Sequence, residues 1–419
     1  MVNKSNTSAT PASLRKTHRG MILSRIQAEP GISRADLARY CGFSEMAATR
    51  IVRELLAAGI IEEAGTPAPA RGRRKHLGRP KTGLRIVRDG VFAVGITVSA
   101  YHSEVSICDA DGHLCASSRL QDVALDNVVE AARVYAGALK ALIESSGVDV
   151  ARIVGVGVAL SAVTEPEAGE IVSSEYLGWA HDGGAFCREI QRIIDLPVEI
   201  ENISNALAIA EMRFGAAREV AEFTLVHVAT FVGAGLVSGH RLVRGDTGVA
   251  GLLGHVRSQV RPLTCICGRH DCLNLTATGL GILSRLGRLD HPRFDTARLS
   301  FYADELLAAL EDEAAAEVVA EAGQHLAPVL DTIGNLLRPR LMILSGYLGA
   351  NERYFSAVEA ELAGTYGHDP ARSFRLVRGT IYPVQAAALL ALHALCYSDR
   401  LDYERIARAA DPAGERGHG

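Results

Sequence analysis

The stretch GHVRSQVRPLTCICGRHDC, residues 254–272, gathers three of the chain's eight cysteines and a histidine into one short run. His255 precedes Cys265 by ten positions, Cys267 comes two later, and Cys272 follows after five more. Gly268 permits the sharp turn that lets three sulfurs converge. One imidazole and three thiolates form a closed tetrahedron typical of structural zinc. The run predicts one structural zinc per chain; the alternative is three reduced thiols without a metal.

The composition sets the context of this loop. At 419 residues the chain is long enough for two or three domains, and 48% hydrophobic against 22% charged residues indicates a globular protein with ample core. No apolar run reaches the ~18 residues of a membrane span, and the N-terminus MVNKSNTSATPASLRK lacks an apolar signal core. We therefore expect a cytoplasmic protein, in which reduced thiols favour a metal over disulfides.

The charge is unevenly distributed along the chain. Residues 1–90 carry 17 Lys and Arg against 7 Asp and Glu, whereas residues 91–419 carry 27 against 41. A basic head, residues 1–90, on an acidic body, residues 91–419, indicates that the head binds a polyanion and the body does not. Because a run of charged residues can also be a solvated surface, the assignment also needs a fold that binds a polyanion.

Residues 14–66 have the pattern of a winged helix-turn-helix. A first helix ends at EPG, Ser33 offers an N-cap to RADLARYC, and Ser44 caps EMAATRIVRELLAAG after the break at Gly42. One face of this last helix is apolar, and the opposite face is suited to a DNA major groove. The predicted DNA contacts are Ser44, Glu45, Met46, Thr49, Arg50 and Arg53.

Residues 67–90 read as a wing and basic linker with seven Lys or Arg between 71 and 85. Arg79, flanked by Gly78 and Pro80, is expected to reach into a DNA minor groove. The alternatives are a flexible solvated linker here and, for the head as a whole, a winged helix that binds protein. Residues 1–13 and 411–419 are expected to be disordered tails.

Residues 91–410 predict a two-lobed α/β domain, since strand hairpins followed by alternating helices and strands occur twice. The segments GVAGLLGHV, CICGRHDC, IENISNALA and VGAGLVSG, together with the GRP at 78–80, closely resemble signatures of the ROK family (repressor, open reading frame, kinase). The resemblance covers nearly the whole chain. It implies an actin-like, ribonuclease H-like ATPase fold for the body, with the zinc loop at 255–272 beside a sugar pocket. His270 has no counterpart in the family pattern and is left out of the ligand set.

The resemblance also shows what this chain lacks. Where family kinases have a catalytic Asp the chain has Ile203, which cannot accept a proton. The phosphate loop expected near VGITVSAYH lacks its Asp and its Gly-Gly-Thr, and the late Gly-Gly is Ser345-Gly346. We therefore predict a protein without kinase activity.

The sugar pocket implied by the resemblance is altered as well. Leu252 and Asn274 stand where the family has glutamates, so with Ile203 three carboxylates are replaced. Asn202, His255 and an amide at Asn274 persist, and Trp179 either stacks on a ligand or packs in the core. The pocket is expected to take a less hydroxylated or differently charged effector, to bind a sugar weakly, or to bind nothing.

Together these features predict a DNA-binding transcriptional regulator, a repressor of a carbohydrate-related catabolic operon. It would act as a homodimer or dimer of dimers on a pseudo-palindromic double-stranded operator, with a sugar or sugar derivative as effector. A ligand-independent regulator controlled by protein contact and, less favoured, a sugar kinase are the alternatives.

Overall fold

The computed structural model describes residues 10–65, 82–99, 103–120, 123, 127–246, 248–289, 295, 298–366 and 374–410. The head comprises α1 (Pro11–Ala28), β1 (Ile32–Ser33), α2 (Arg34–Cys41), α3 (Glu45–Ala57), β2 (Ile61–Ala64) and β3 (Gly83–Ile86). Its three strands form an antiparallel sheet in the order β1-β3-β2. The sheet and the three helices form the winged helix-turn-helix that the sequence predicts.

Local sequence signals start and stop the head helices where they were expected. The Ser33 hydroxyl accepts a hydrogen bond from Asp36 N, and the Ser44 hydroxyl accepts one from Ala47 N, each at 3.2 Å. Gly42 ends α2 at φ +72°, a left-handed conformation that glycine adopts without steric cost. One boundary differs, since α1 begins at Pro11 and not at Leu14, whereas β3 lies within the 67–90 range predicted as wing and linker.

The first lobe of the body is built on a five-stranded sheet. Its elements are β4 (Phe92–Val98), β5 (Ser103–Asp109), β6 (Leu114–Leu120), α4 (Val128–Ser146), β7 (Ile153–Leu160), β8 (Val163–Glu165), β9 (Glu170–Ser173), α5 (Ala185–Ile194) and β10 (Val198–Asn202). The strand order is β10-β7-β4-β5-β6, parallel at the β10 end and antiparallel at the β6 end. A helix, α6 (Ile203–Phe214), then leads to the second lobe.

The second lobe repeats the plan with the strand order β13-β12-β11-β14-β15. Its elements are β11 (Phe223–Val228), β12 (Val232–Ser238), β13 (Arg241–Val243), α7 (Gly279–Arg285), α8 (Leu299–Glu311), α9 (Ala316–Leu337), β14 (Leu341–Ser345), α10 (Gly346–Ala350), α11 (Glu352–Tyr366) and β15 (Arg375–Arg378). The two similar sheets confirm the two-lobed α/β prediction.

The chain then returns to the first lobe through α12 (Pro383–Ala391) and ends, within the described residues, in α13 (Tyr403–Ala410). Gly157 in β7 lies directly under the Ala387 carbonyl of α12, where any side chain would overlap backbone. Small residues on both elements therefore allow this close approach. None of the helices described here is both long and apolar enough to cross a bilayer.

The head packs directly against the body. The Ser24 hydroxyl of α1 donates to the Tyr397 carbonyl at 2.8 Å, and Tyr403 in α13 donates to the Glu54 carbonyl at 3.0 Å. A side chain at Gly20 would overlap the Ser398 carbonyl. Buried residues of head and body belong to one continuous hydrophobic cluster. The head and the body are therefore in direct packing contact.

Candidate functional site

The predicted metal ligands come together in the structure. The ligand atoms of His255, Cys265, Cys267 and Cys272 all lie within 4.8 Å of one another. His255 Nδ1 lies 3.7 Å from Cys265 Sγ, and Cys267 Sγ lies 3.4 Å from Cys272 Sγ. These four residues form a cluster that could hold a metal ion. His270 is outside it, and its Nδ1 lies 3.2 Å from the Leu263 carbonyl oxygen.

Backbone hydrogen bonds shape the loop around this cluster. Gly268 turns the chain at φ +84°, and its N–H donates to the Cys265 carbonyl at 2.8 Å. Arg257 and Cys272 pair as an isolated antiparallel bridge, which closes the loop at its base. Cys265 and Cys272 are buried, and Cys267 is exposed. The turn at Gly268 and the bridge between Arg257 and Cys272 therefore bring the four predicted ligands together.

The chemistry of the donor set fits zinc. Burial lowers the pKa of His255 below its usual value, so the ring is neutral near pH 7 and a nitrogen lone pair is available. Arg269 donates to the His255 carbonyl and, at 3.3 Å, to Cys272 Sγ. Three thiolates and a divalent ion would carry one net negative charge, and this guanidinium lies where it can offset that charge. Four such ligands would fill a tetrahedral zinc site and leave no coordination position for a reacting water.

A cavity of about 200 Å³ lies between the two lobes. One wall comes from the first lobe, the opposite wall from β11, β12 and the segment 248–252, and the first turn of α6 completes the lining. His255 lines the cavity and also belongs to the metal cluster. The metal loop and the cavity therefore share a side chain.

The structure brings three of the five predicted effector residues to this cavity: Asn202, Leu252 and His255. Trp179 instead packs in the first-lobe core, with its ring 5.5 Å from that of Phe186. Asn274 is fully buried behind the cavity; its Oδ1 accepts from Val232 N at 3.1 Å. The prediction that Trp179 and Asn274 face the ligand is not supported by their positions.

Other cavity residues were not predicted from the sequence. The rings of Tyr176 and Phe231 are in contact, with centroids 4.2 Å apart and a tilt of 40°, and Asn205 and His227 also line the cavity. Tyr176 and Trp179 are both aromatic and three residues apart, so the sequence gives no reason to choose one of them as the cavity residue. For Asn205, the sequence signal is its position two residues after Ile203, at the start of α6.

An ion pair braces the cavity wall. Glu201, only 2% exposed, accepts from Arg244 Nη2 at 2.7 Å and Nε at 3.0 Å. Its other oxygen accepts from Asn202 N at 2.9 Å and Asn205 Nδ2 at 3.0 Å. This carboxylate thus holds both the start of α6 and the segment that follows β13.

The position expected to carry a kinase base is apolar and buried. Ile203 is 4% exposed and lines the cavity at the first residue of α6. Ser345 is also buried, and a side chain at Gly346 would overlap the Val228 carbonyl. Part of the segment compared with a phosphate loop, residues 100–102, lies outside the described residues.

The predicted DNA-binding face is presented to solvent. Met46 is 85% exposed, and Ser44, Glu45, Arg50 and Arg53 are exposed as well, whereas Thr49 is partly buried. The opposite face of α3 packs inward through Ala48, Ile51, Val52 and Leu55. Gly78, Arg79 and Pro80 lie outside the described residues, in the segment between β2 and β3.

Helix α6 extends from the cavity to the head. Ile203, Ser204 and Asn205 line the cavity, and every residue from Ile203 to Glu211 is buried. At its far end the Arg213 carbonyl accepts from Gln27 Nε2 of α1 at 3.3 Å, and Arg218 Nη2 donates to the Gln27 carbonyl at 2.9 Å. One buried helix thus touches both the cavity and the DNA-binding domain.

Comparisons with known proteins agree with this architecture. The ROK family model matches residues 93–380, and a winged helix-turn-helix DNA-binding model matches residues 15–62. The chain is 22% identical to the xylose repressor of Caldicellulosiruptor bescii, over 79% of this chain and 83% of that protein. It is 24% identical to the DNA-binding transcriptional dual regulator NagC of Escherichia coli K12, over 75% and 76%.

A solved structure resembles the full chain. It is a ROK family transcriptional regulator described as a homolog of the E. coli MLC protein, with a TM-score of 0.72 and 21% identity. The match covers 94% of this chain and 100% of that one. It therefore supports the fold of the head and of the body.

Proposed function

The chain belongs to the ROK family, and we propose that it is a transcriptional repressor whose body senses a small molecule for a DNA-binding head. Relatives named as a xylose repressor and as NagC support a gene-regulatory role linked to carbohydrate use. The genes controlled would then be those of a carbohydrate-related catabolic operon. A repressor of this kind acts in the cytoplasm, where its operator is.

The head supplies the DNA contacts in this proposal. Met46, Thr49, Arg50 and Arg53 enter a major groove, with Ser44 and Glu45 at the leading end of α3. Arg79, between Gly78 and Pro80, reaches an adjacent minor groove. Two heads on a dimer, or four on a dimer of dimers, read a pseudo-palindromic operator.

The observation that carries the sensing role is the course of α6. A ligand changes DNA affinity only if it binds two conformations of the protein with different affinity. Ser204 and Asn205 meet the cavity at one end of α6, and Arg213 meets Gln27 of the head at the other. A small shift of this buried helix reaches the head without an intervening flexible segment.

The body is proposed to bind a small molecule without catalysing a reaction. Phosphoryl transfer to a hydroxyl needs a carboxylate that orients and deprotonates the nucleophile. The buried Ile203 side chain cannot do this. Zinc in the His255, Cys265, Cys267 and Cys272 cluster is accordingly proposed as a structural ion, one per chain, that fixes the cavity wall carrying His255.

The test begins with an operator selected in vitro from random double-stranded DNA by the full-length protein. Hydrogen–deuterium exchange is then measured with and without that operator. Because coupling between two sites is reciprocal, operator binding should alter exchange in residues 203–211 and in the cavity segments. Arg218→Ala should reduce this change, whereas Arg188→Ala, whose guanidinium donates to Gly183 in the first lobe, should leave it intact.

Each outcome separates one interpretation from the others. Failure to select any operator would overturn the repressor proposal. Operator binding without any change in α6 would indicate a regulator that does not use this cavity, controlled by protein contact. ATP-dependent phosphorylation of a hexose above background would establish a kinase instead.

A further inference from the structure

Two of the eight cysteines are exposed, Cys115 and Cys267, and they have different surroundings. Cys115 lies in β6, and partial burial raises the pKa of its side chain, which keeps it a thiol near neutral pH. Cys267 lies in the metal loop, residues 255–272, with a second sulfur, Cys272 Sγ, 3.4 Å away. Cys267 is therefore an exposed sulfur in van der Waals contact with a partner sulfur.

The three cysteines of the metal loop differ in their access to solvent. Cys265 is 2% exposed and Cys272 is fully buried, so a molecule from solvent reaches the cluster first at Cys267. A cysteine that binds zinc does so as a thiolate, which is also the nucleophilic form of the side chain. The guanidinium of Arg269, with Nη2 3.3 Å from Cys272 Sγ, lies beside these sulfurs and favours their negative charge. Oxidation of cysteine depends on thiolate character and exposure, and Cys267 combines both.

We infer that Cys267 and Cys272 form an oxidant-sensitive site, at which a peroxide converts two metal ligands into a disulfide and the metal is released. In the first step Sγ of Cys267 bonds to one peroxide oxygen while the O–O bond breaks, and the other oxygen leaves as hydroxide. In the second step Sγ of Cys272 attacks Sγ of Cys267, and the sulfenic oxygen leaves as a second hydroxide. Each hydroxide takes a proton from solvent, and the peroxide gains the two electrons that the sulfurs lose.

This oxidation would change the wall of the cavity between the lobes. Only His255 and Cys265 would remain as ligands, against the four of a structural zinc site. His255 also lines the cavity, and Phe231 packs against both the apolar cluster of the metal loop and Tyr176 of the cavity lining. Loss of the metal should therefore loosen this wall. The inference goes beyond the proposed function, because it adds an oxidant as an input that is separate from a molecule bound in the cavity.

The experiment treats zinc-loaded full-length protein with a small molar excess of hydrogen peroxide and follows free zinc with a colorimetric chelator. About one zinc per chain should be released, with about one peroxide consumed for each zinc, as the two steps require. Dithiothreitol and added zinc should restore the bound metal. Hydrogen–deuterium exchange in residues 255–275 and in the cavity segments should rise as zinc is released.

Mass spectrometry of the oxidised wild-type protein identifies the sulfurs that pair. Trypsin cleaves after Arg269, so a disulfide between Cys267 and Cys272 joins two peptides, whereas one between Cys265 and Cys267 stays within a single peptide. Fragmentation of the joined peptides separates Cys267 from Cys265 as the partner of Cys272. The expected product is the disulfide between Cys267 and Cys272.

Two variants test the role of the exposed sulfur. Cys267→His keeps a zinc-binding atom at this position and removes the reactive sulfur, so it should hold zinc and release it at least about tenfold more slowly under peroxide. Cys115→Ser is the matched control, because it removes the other exposed cysteine, and it should release zinc at the wild-type rate. The peptide map uses wild-type protein, so it tests the site even where Cys267→His does not take up zinc.

The remaining outcomes contradict the inference. Zinc-loaded wild-type protein that keeps its metal and its thiols under peroxide would overturn it, and so would a disulfide that includes Cys265 or Cys115. A wild-type rate of zinc release from Cys267→His would overturn it as well. These readouts do not involve DNA: if zinc is released but no operator can be selected, the proposed function fails and the inference stands. If an operator binds and zinc is not released, the reverse holds.

Discussion

Breaking the ion pair between Glu201 and Arg244 should destabilise the protein by stranding a buried carboxylate. Arg244→Met removes both hydrogen bonds to Oε2 of Glu201, at 2.7 and 3.0 Å, from a carboxylate that is only 2% exposed in the intact protein. Removing one partner of a fully buried pair costs about 3–5 kcal/mol. The Arg244 side chain is 42% exposed, so solvent screens part of the interaction and the expected loss is about 2–4 kcal/mol.

A double-mutant cycle separates the pair from other effects of the substitution. Glu201→Gln keeps an acceptor for Asn202 N and Asn205 Nδ2 and frees a half-exposed guanidinium, so it should cost only about 1 kcal/mol. Adding Arg244→Met to Glu201→Gln should then cost little, since no charge is stranded. The coupling energy should reach about 2 kcal/mol.

Urea unfolding followed by circular dichroism and by fluorescence supplies the free energies. Trp179, the only tryptophan, lies in the core of the same lobe as Glu201 and reports on it directly. The exposed Arg241, three residues before Arg244, gives the control substitution Arg241→Met, with an expected change within about 0.5 kcal/mol. A coupling energy below about 0.5 kcal/mol would refute the assignment of Glu201 as the brace of the cavity wall.

Three further predictions address the metal, the DNA face and pH. Removing the metal with a chelator should lower the melting temperature and weaken ligand control of operator binding, and Cys267→Ser should have the same two effects. An unchanged melting temperature of verified metal-free protein would contradict the structural role of the metal. Arg50→Ala should cost about 1–3 kcal/mol of operator discrimination in binding assays, whereas Arg39→Ala on α2 should not; equal base preference would contradict the groove assignment. Burial lowers the pKa of His227 in the folded protein to about 4, below its unfolded value near 6.5, so protonation costs stability as pH falls below 6.5, by about 2 kcal/mol at pH 5. His227→Leu should flatten that dependence in urea melts, and an unchanged slope would contradict it.

The parts of the fold that the sequence predicts well are those set by local rules. Ser33 and Ser44 cap the helices expected of them, because the capping hydrogen bond involves only the next three residues. The metal cluster was predictable for the same reason, since Gly268 turns the chain and brings neighbouring sulfurs together. In each case the decisive contacts lie within one short segment.

The predictions that the structure does not support concern how deeply a side chain is buried, which depends on residues outside its own short motif. Trp179 and Tyr176 are three residues apart, yet Phe186 covers one ring and the cavity borders the other. Asn274 follows the last cysteine closely but is sealed beneath Gly254, where a side chain would overlap its amide. No local pattern encodes these burials, because each is decided by the segment that packs over the loop, Phe186 for Trp179 and Gly254 for Asn274.

The three positions at which the sequence predicts a replaced carboxylate, 203, 252 and 274, have different surroundings in the structure. Ile203 allows α6 to be buried from its first residue, so its position is fixed by packing. Asn274, unlike a glutamate, can accept from Val232 N and also donate to Tyr176 Oη, at 3.5 Å, and this links the second lobe to the first. Leu252, 54% exposed, places an apolar side chain at the edge of the cavity. A cavity joined to the head by a buried helix can change DNA affinity without any chemical step, because regulation requires only differential binding to two conformations.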